Sequence, residues 1–192
     1  MALNCIPKSV LSSATCQENP AGLSNHFFAV PVDSNHIASI IPDDAKNQYA
    51  ITPAGENATA LKGARIDFKS QTGQYTAEDN GMGKGWSGSA TGRVELNEDQ
   101  MAHTSRVLHN SDKFLYFFPT SKTKVEGEGA QATVLKEYIV IGNENGEAEF
   151  AVAADTGAAR NDDHGQTFTA SCAYQLYPIT KWYGNIEQED AE

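Results

Sequence analysis

The chain has 192 residues, 20% of them charged and 40% hydrophobic, and a net charge of −11. That size suits one domain with a sizeable core, and that balance excludes a disordered polyelectrolyte. No apolar run approaches the roughly 20 residues that a membrane helix needs. The first residues lack the charged, apolar and small-residue blocks of a secretory signal, so classical secretion is not expected. Cys5, Cys16 and Cys172 are too few and too scattered for a disulfide framework or a zinc site.

The charge is unevenly spread. Residues 1–60 sum to −3, residues 61–125 to +2 and residues 126–192 to −10. Tight nucleic-acid binding needs Lys and Arg clusters that displace counterions from phosphates, and a net acidic chain does not supply them globally.

In chain order, the first 62 residues read as irregular or short-stranded. Pro20, Pro31, Pro42 and Pro53 are eleven residues apart, but the intervening residues do not repeat. Short strands fit Phe27–Val30 before Pro31, His36–Ile41 before Pro42, and Tyr49–Thr52. Ala64–Ser70 alternates apolar and polar residues, as does Ala90–Leu96, which predicts strands with one buried face. The Gly-rich stretch between them predicts one long hairpin with Asn80-Gly81 at its tip. A helix is expected over Glu98–His109. Asn97 caps it, Glu98 and Asp99 fill its first turn, and Met101, Val107 and Leu108 form an apolar face. Phe114–Phe118 reads as a buried strand stopped by Pro119, and Lys122–Thr133 as a polar loop. Val134–Ile141 and Ala148–Ala153 read as a hairpin turning at Asn145-Gly146, and Gln166–Tyr177 as a long final strand. Glu187–Glu192 packs four acids into six positions, which predicts a disordered tail. The sum is a mainly β chain, an antiparallel sandwich or barrel with one short flanking helix and a long Gly-rich hairpin.

Chemistry-bearing motifs are weak. Gly83-Lys84-Gly85-Trp86-Ser87-Gly88 matches G-x-G-x-x-G, but a strand pattern follows it where dinucleotide binding needs a helix. His26, His36, His103, His109 and His164 show no metal-ligand spacing. Asn143–Glu147 and Asn161–Gly165 are oxygen-rich but lack a calcium-loop register. No nucleophile elbow occurs, and Cys172 lies in an alternating strand, where a buried thiol is usual. No catalytic residue, metal site or cofactor is expected, and the chain does not read as an enzyme.

The order of elements is informative. It runs from the Ala64–Leu96 hairpin to one helix, then the Phe114–Phe118 strand, Glu137–Gly146, and Asp163–Ser171. In this layout the chain resembles the tail tube (major tail) proteins of tailed bacteriophages. Three regions are expected, an N-terminal arm or leader over 1–62 packing on the core, a β-sandwich over 63–184 and an acidic tail over 185–192, and the resemblance covers roughly residues 60–180. It implies a virion protein assembled in the host cytoplasm, whose copies form stacked, hexameric rings. Its partners would be itself and other tail proteins, with DNA passing through an acidic lumen and no membrane contact. The Gly-rich hairpin, with Tyr75, Asn80, Gly81, Met82, Lys84 and Trp86, would reach a neighbouring subunit. No particular acid is assigned to the lumen. Two alternatives stand beside this reading: a virion surface protein binding capsid or glycan, and a hydrolytic β-barrel enzyme.

Overall fold

Phe27-Phe28-Ala29-Val30 and Leu115-Tyr116-Phe117-Phe118 are apolar at every position. Successive side chains of a strand point to opposite faces, so a strand of this kind must be covered on both sides. The computed structural model describes residues 23–56, 58–69, 72–94, 106–109, 113–127, 132–155 and 165–189, and in it these two runs lie side by side in one sheet.

The strands are β1 (His26–Pro31), β2 (Ile37–Asp43), β3 (Gln48–Pro53), β4 (Leu61–Asp67), β5 (Gln74–Asp79) and β6 (Trp86–Val94). They continue with β7 (Phe114–Glu126), β8 (Thr133–Ile141), β9 (Glu149–Asp155), β10 (Gly165–Gln175), β11 (Lys181–Gly184) and β12 (Ile186–Gln188). An eight-stranded sheet has the order β12-β4-β1-β7-β8-β11-β3-β2, and a four-stranded sheet the order β5-β6-β10-β9. Pairing is antiparallel except at β12–β4 and β11–β3. The fold is therefore mainly antiparallel β and sandwich-like, as the alternation in the sequence predicts.

The first core lies between the sheets. Phe27 and Ala29 of β1 and Tyr116 and Phe118 of β7 meet Phe150 of β9 and Phe168 and Ala170 of β10. Phe168 is its hub, with ring centres 4.8 Å from Phe27, 5.3 Å from Phe68 and 6.0 Å from Phe150. The second core lies on the opposite face of the large sheet. It takes the alternate residues Phe28, Val30, Leu115 and Phe117, with Trp182 of β11. Leu61 of β4 and Ile37 and Ile51 of β2 and β3 join this same core, although the strand order puts them near opposite ends of the sheet. The large sheet therefore curls around its second core.

Its two edges are joined by side chains. His36, just before β2, holds a carboxylate at each ring nitrogen: Asp33 Oδ1 is 2.6 Å from Nδ1, and Glu189 Oε2, just after β12, is 3.0 Å from Nε2. The backbone N–H of Glu189 also donates to Gly63 O at 3.0 Å, which fixes it to β4.

Several pairings differ from the sequence expectation. The predicted Ala64–Leu96 hairpin does not form. β4 pairs with β1, the chain crosses to the other sheet after Asp67, and the hairpin is β5–β6. Alternation fixes which face is buried but not which strand is the neighbour. β9 follows the turn at Asn143–Gly146 as expected, yet it pairs with β10 and not with β8. Gly142, at φ 131°, turns the chain out of the large sheet there. Pro119 does not stop β7. It is paired with Tyr138 as the last regular partner before the ladder with β8 slips, between Pro119 and Thr123. Lys122–Glu126, expected as loop, continues the strand. Pro42 likewise lies within β2. Residues 26–53, assigned to a leader, supply three strands of the large sheet, and β1 lies between β4 and β7.

At the C-terminal end, residues 186–188 form β12 instead of a disordered tail, while 190–192 lie outside the described residues. Of the expected helix, residues 106–109 are helical and 98–105 lie outside the described residues. Leu108 is buried and Val107 is exposed.

The edge clamp titrates. Burial alone would lower the His36 pKa, but the hydrogen bonds and charges of Asp33 and Glu189 raise it above the ordinary 6.5. A raised folded-state value means that the clamp stabilises fully below about pH 6.5 and is lost as pH rises through the folded value. Asp33 has the opposite sign. Burial opposes ionisation, but bonds from His36 and the Asn35 N–H lower its pKa, so its contribution is lost as pH falls. Thermal unfolding of the wild type and His36→Gln should therefore differ most between about pH 4 and 6.5. The gap, below about 1 kcal/mol for such solvent-facing pairs, should close toward pH 9. A gap that widens with pH contradicts the clamp.

Candidate functional site

The β5–β6 hairpin is the first surface to place. Its Cα partners run from Gln74↔Thr91 to Asp79↔Trp86, and Asn80 N–H donates to Gly85 O at 3.1 Å across the tip. Gly81, at φ 95°, makes the turn, and its N–H donates to Asp79 Oδ1 at 2.8 Å. Much of this hairpin is laid down on its own chain. Asn80 Nδ2 donates to Ala173 O at 2.8 Å, and its Oδ1 accepts from Ser87 Oγ at 2.6 Å. Tyr75 Oη donates to Pro178 O at 2.7 Å and lies 3.2 Å from Gln175 Oε1. Burial pushes the Tyr75 phenol up to about 12. Trp86 is half-buried, opposite Gln175 of β10. Met82 and Lys84, at the tip, are exposed.

Beneath it, the fully buried Gln175 ties the sheets together: its Nε2 donates to Val140 O of β8 at 3.1 Å. A Cβ on Gly88 would lie 2.0 Å from Gln175 Oε1, so a side chain there would have to displace the Gln175 amide. This accounts for the Gly83–Gly88 string. It is a turn followed by a strand packed on Gln175, with no helix to receive a phosphate.

The β7–β8 hairpin is the second surface. Every residue of β7 from Ser121 to Glu126 is exposed, so this half projects beyond both cores. Its most exposed apolar groups, Val125 and Val134, are Cα partners and are 61% and 56% exposed. The base is fixed by Glu137, which is 4% exposed. Its carboxylate accepts from Thr120 Oγ1 at 3.1 Å and from Tyr183 Oη, and lies 3.5 Å from Lys181 Nζ. Burial opposes its ionisation, but the Tyr183 bond, the Lys181 charge and the Thr120 bond outweigh burial and hold its pKa below the usual range. Lys124 Nζ sits 5.6 Å above the Tyr183 ring. The sequence pointed to β8 through Val134–Ile141 but not to its pairing with the outer half of β7, because Lys122–Thr133 is polar enough to read as loop. The usable signal was the β-branched pattern of Thr123, Val125, Thr133 and Val134.

The third feature is a cavity of about 330 Å³ beyond the far end of β8, lined by Asn143, Glu147, Glu149, Cys172 and Tyr174 among others. Asn143 shapes it: Oδ1 accepts from the N–H groups of Asn145 and Glu147 at 3.0 Å, and Nδ2 donates to Glu147 Oε2 at 2.7 Å. Burial, then the nearby carboxylates of Glu147, Glu144 and Glu149, raise the Cys172 thiol, so it stays protonated and is a poor nucleophile. Tyr174 is 67% exposed at the rim.

Among the described residues, no group of three or more His, Cys, Asp or Glu side chains is placed to hold a metal ion. His36 serves the edge clamp, His26 packs edge-on to Phe28, and His109 Nδ1 lies 3.4 Å from Phe150 O. His103, His164, Cys5, Cys16 and residues 161–164 of the second oxygen-rich loop lie outside the described residues. Also among the described residues, no helix is long and apolar enough to cross a membrane. Compared with family models, curated proteins and solved structures, the chain matches none.

Glu137 gives a direct test of the hairpin base. Its lowered pKa means that its stabilisation is present above about pH 4.5 and is lost as pH falls through the folded value. Glu137→Ala should cost about 1–3 kcal/mol at pH 7, the scale of a lost buried hydrogen-bond network. The difference from wild type in urea unfolding should shrink toward pH 3. An equal difference at both pH values contradicts an ionised Glu137.

Proposed function

We propose that this chain is a structural subunit of a phage-type tail tube, whose copies associate into rings and stacks around an acidic lumen. On this reading it has no catalytic role and takes no cofactor. It acts in the virion tail after assembly in the host cytoplasm, with itself and other tail proteins as partners, and DNA passes through without being held. The supporting observation is the outer half of the β7–β8 hairpin, which carries the exposed Val125–Val134 pair outside both cores. A projecting strand pair with apolar side chains is a liability on an isolated monomer and is useful where another surface covers it. The exposed tip of the β5–β6 hairpin, Met82 and Lys84, gives a second projection. The net charge of −11 suits a channel for DNA, because a negative wall repels phosphate and leaves it unbound.

Negative-stain electron microscopy of the purified protein over a concentration series tests this reading. Rings or hollow tubes with an axial repeat are the expected result. Small discrete particles at every concentration would contradict it and favour a virion surface protein binding capsid or glycan.

A further inference from the structure

The projecting β7–β8 hairpin and the acid-rimmed cavity lie at opposite ends of β8. Val134 is next to the first residue of that strand, and Asn143, which lines the cavity, follows the last by two. Val134 to Ile141 spans about 23 Å of extended chain. The charge at the two ends differs. From Ser121 to Lys136 the sequence carries Lys122, Lys124 and Lys136 against Glu126 and Glu128, a net positive stretch in an acidic chain. Around the cavity, Glu144 to Glu149 carries three acids and no Lys or Arg. Both ends also expose apolar surface, Val125 and Val134 at one and Tyr174 at the other.

We infer that the hairpin tip of one copy docks against the cavity of a second copy. Val125 and Val134 cover Tyr174, and the exposed Lys136, on the same face of the strand pair, faces Glu147 and Glu149. The inference rests on the self-association half of the reading above and names the two surfaces that meet. Because the surfaces differ and lie at opposite ends of one strand, the contact is head-to-tail. Each copy bound leaves one free tip and one free cavity, so association continues until a ring closes or a stack grows.

Two variants of the full chain test it. Val125→Glu with Val134→Lys alters the tip while keeping an opposite-charge pair across the strands. Glu149→Lys with Tyr174→Ala alters the cavity and leaves Glu147, which holds Asn143, in place. All four side chains are exposed, so circular dichroism and the thermal midpoint should stay near wild type. In sedimentation velocity, each variant alone should need at least a tenfold higher concentration to associate than the unsubstituted chain. An equimolar mixture should form a 1:1 complex and stop there, since each variant keeps the face that the other lacks. Undiminished assembly of either variant, or a mixture no heavier than its parts, overturns the contact. If the variants assemble as the unsubstituted chain does, only this contact fails. If the unsubstituted chain stays monomeric at every concentration, the self-association reading fails with it.

Discussion

The structure depends on one sheet that is apolar on both faces. β1 and β7 pair at its centre and send alternate residues of two continuous apolar runs into two cores. A strand with two apolar faces is stable only if both are covered, so the chain must supply two layers. The four-stranded sheet is one, placed through Phe150 and Phe168. The sheet covers its other face by curling, so that β2 and β3 at one end and β4 at the other share the second core. Curling brings the edges close enough for His36 and Glu189 to meet across the seam, and Gln175 links the two layers through Val140.

This constraint also separates body from projection. Beyond Pro119 the alternate residues of β7 meet neither core, and the ladder slips there before it continues to Glu126. Glu137 anchors the transition, with Thr120, Tyr183 and Lys181 gathered around one buried carboxylate. The outer hairpin is thus held firmly at its base and by little beyond it. An element of that kind gains most from a second surface, and the cavity at the other end of β8 offers one of opposite charge.

Strand existence was legible in the sequence where side-chain chemistry is local. Phe27–Val30, Phe114–Phe118 and Gln166–Tyr177 announce themselves by apolar density, and Asn80-Gly81 and Asn145-Gly146 announce turns. Partner choice was not legible. Ala64–Ser70 and Ala90–Leu96 carry matching alternation, yet residues 64–67 and 90–94 lie in different sheets, because a period of two says nothing about which strand supplies the hydrogen bonds. β12 was hidden by the acidic run it opens: Glu187 and Gln188 reach solvent while their backbone pairs with β4. Of the six hairpin residues singled out, Met82 and Lys84 project, while Tyr75 and Asn80 are bonded within the chain. The longer projection lay in a segment whose lysines and glutamates masked a strand.

Hydrogen exchange followed at several protein concentrations tests this division between a two-core body and an outer hairpin completed by another copy. Amides of β1, of Phe114–Phe118 and of the centre of β10 should be the slowest at every concentration. Those of Thr123–Glu126 and Thr133–Lys136 should exchange fast in dilute solution and become protected only where copies associate, together with Glu147–Glu149. Outer-hairpin amides as slow as those of β1 in a dilute monomer, or unchanged by concentration in associated protein, would contradict the account.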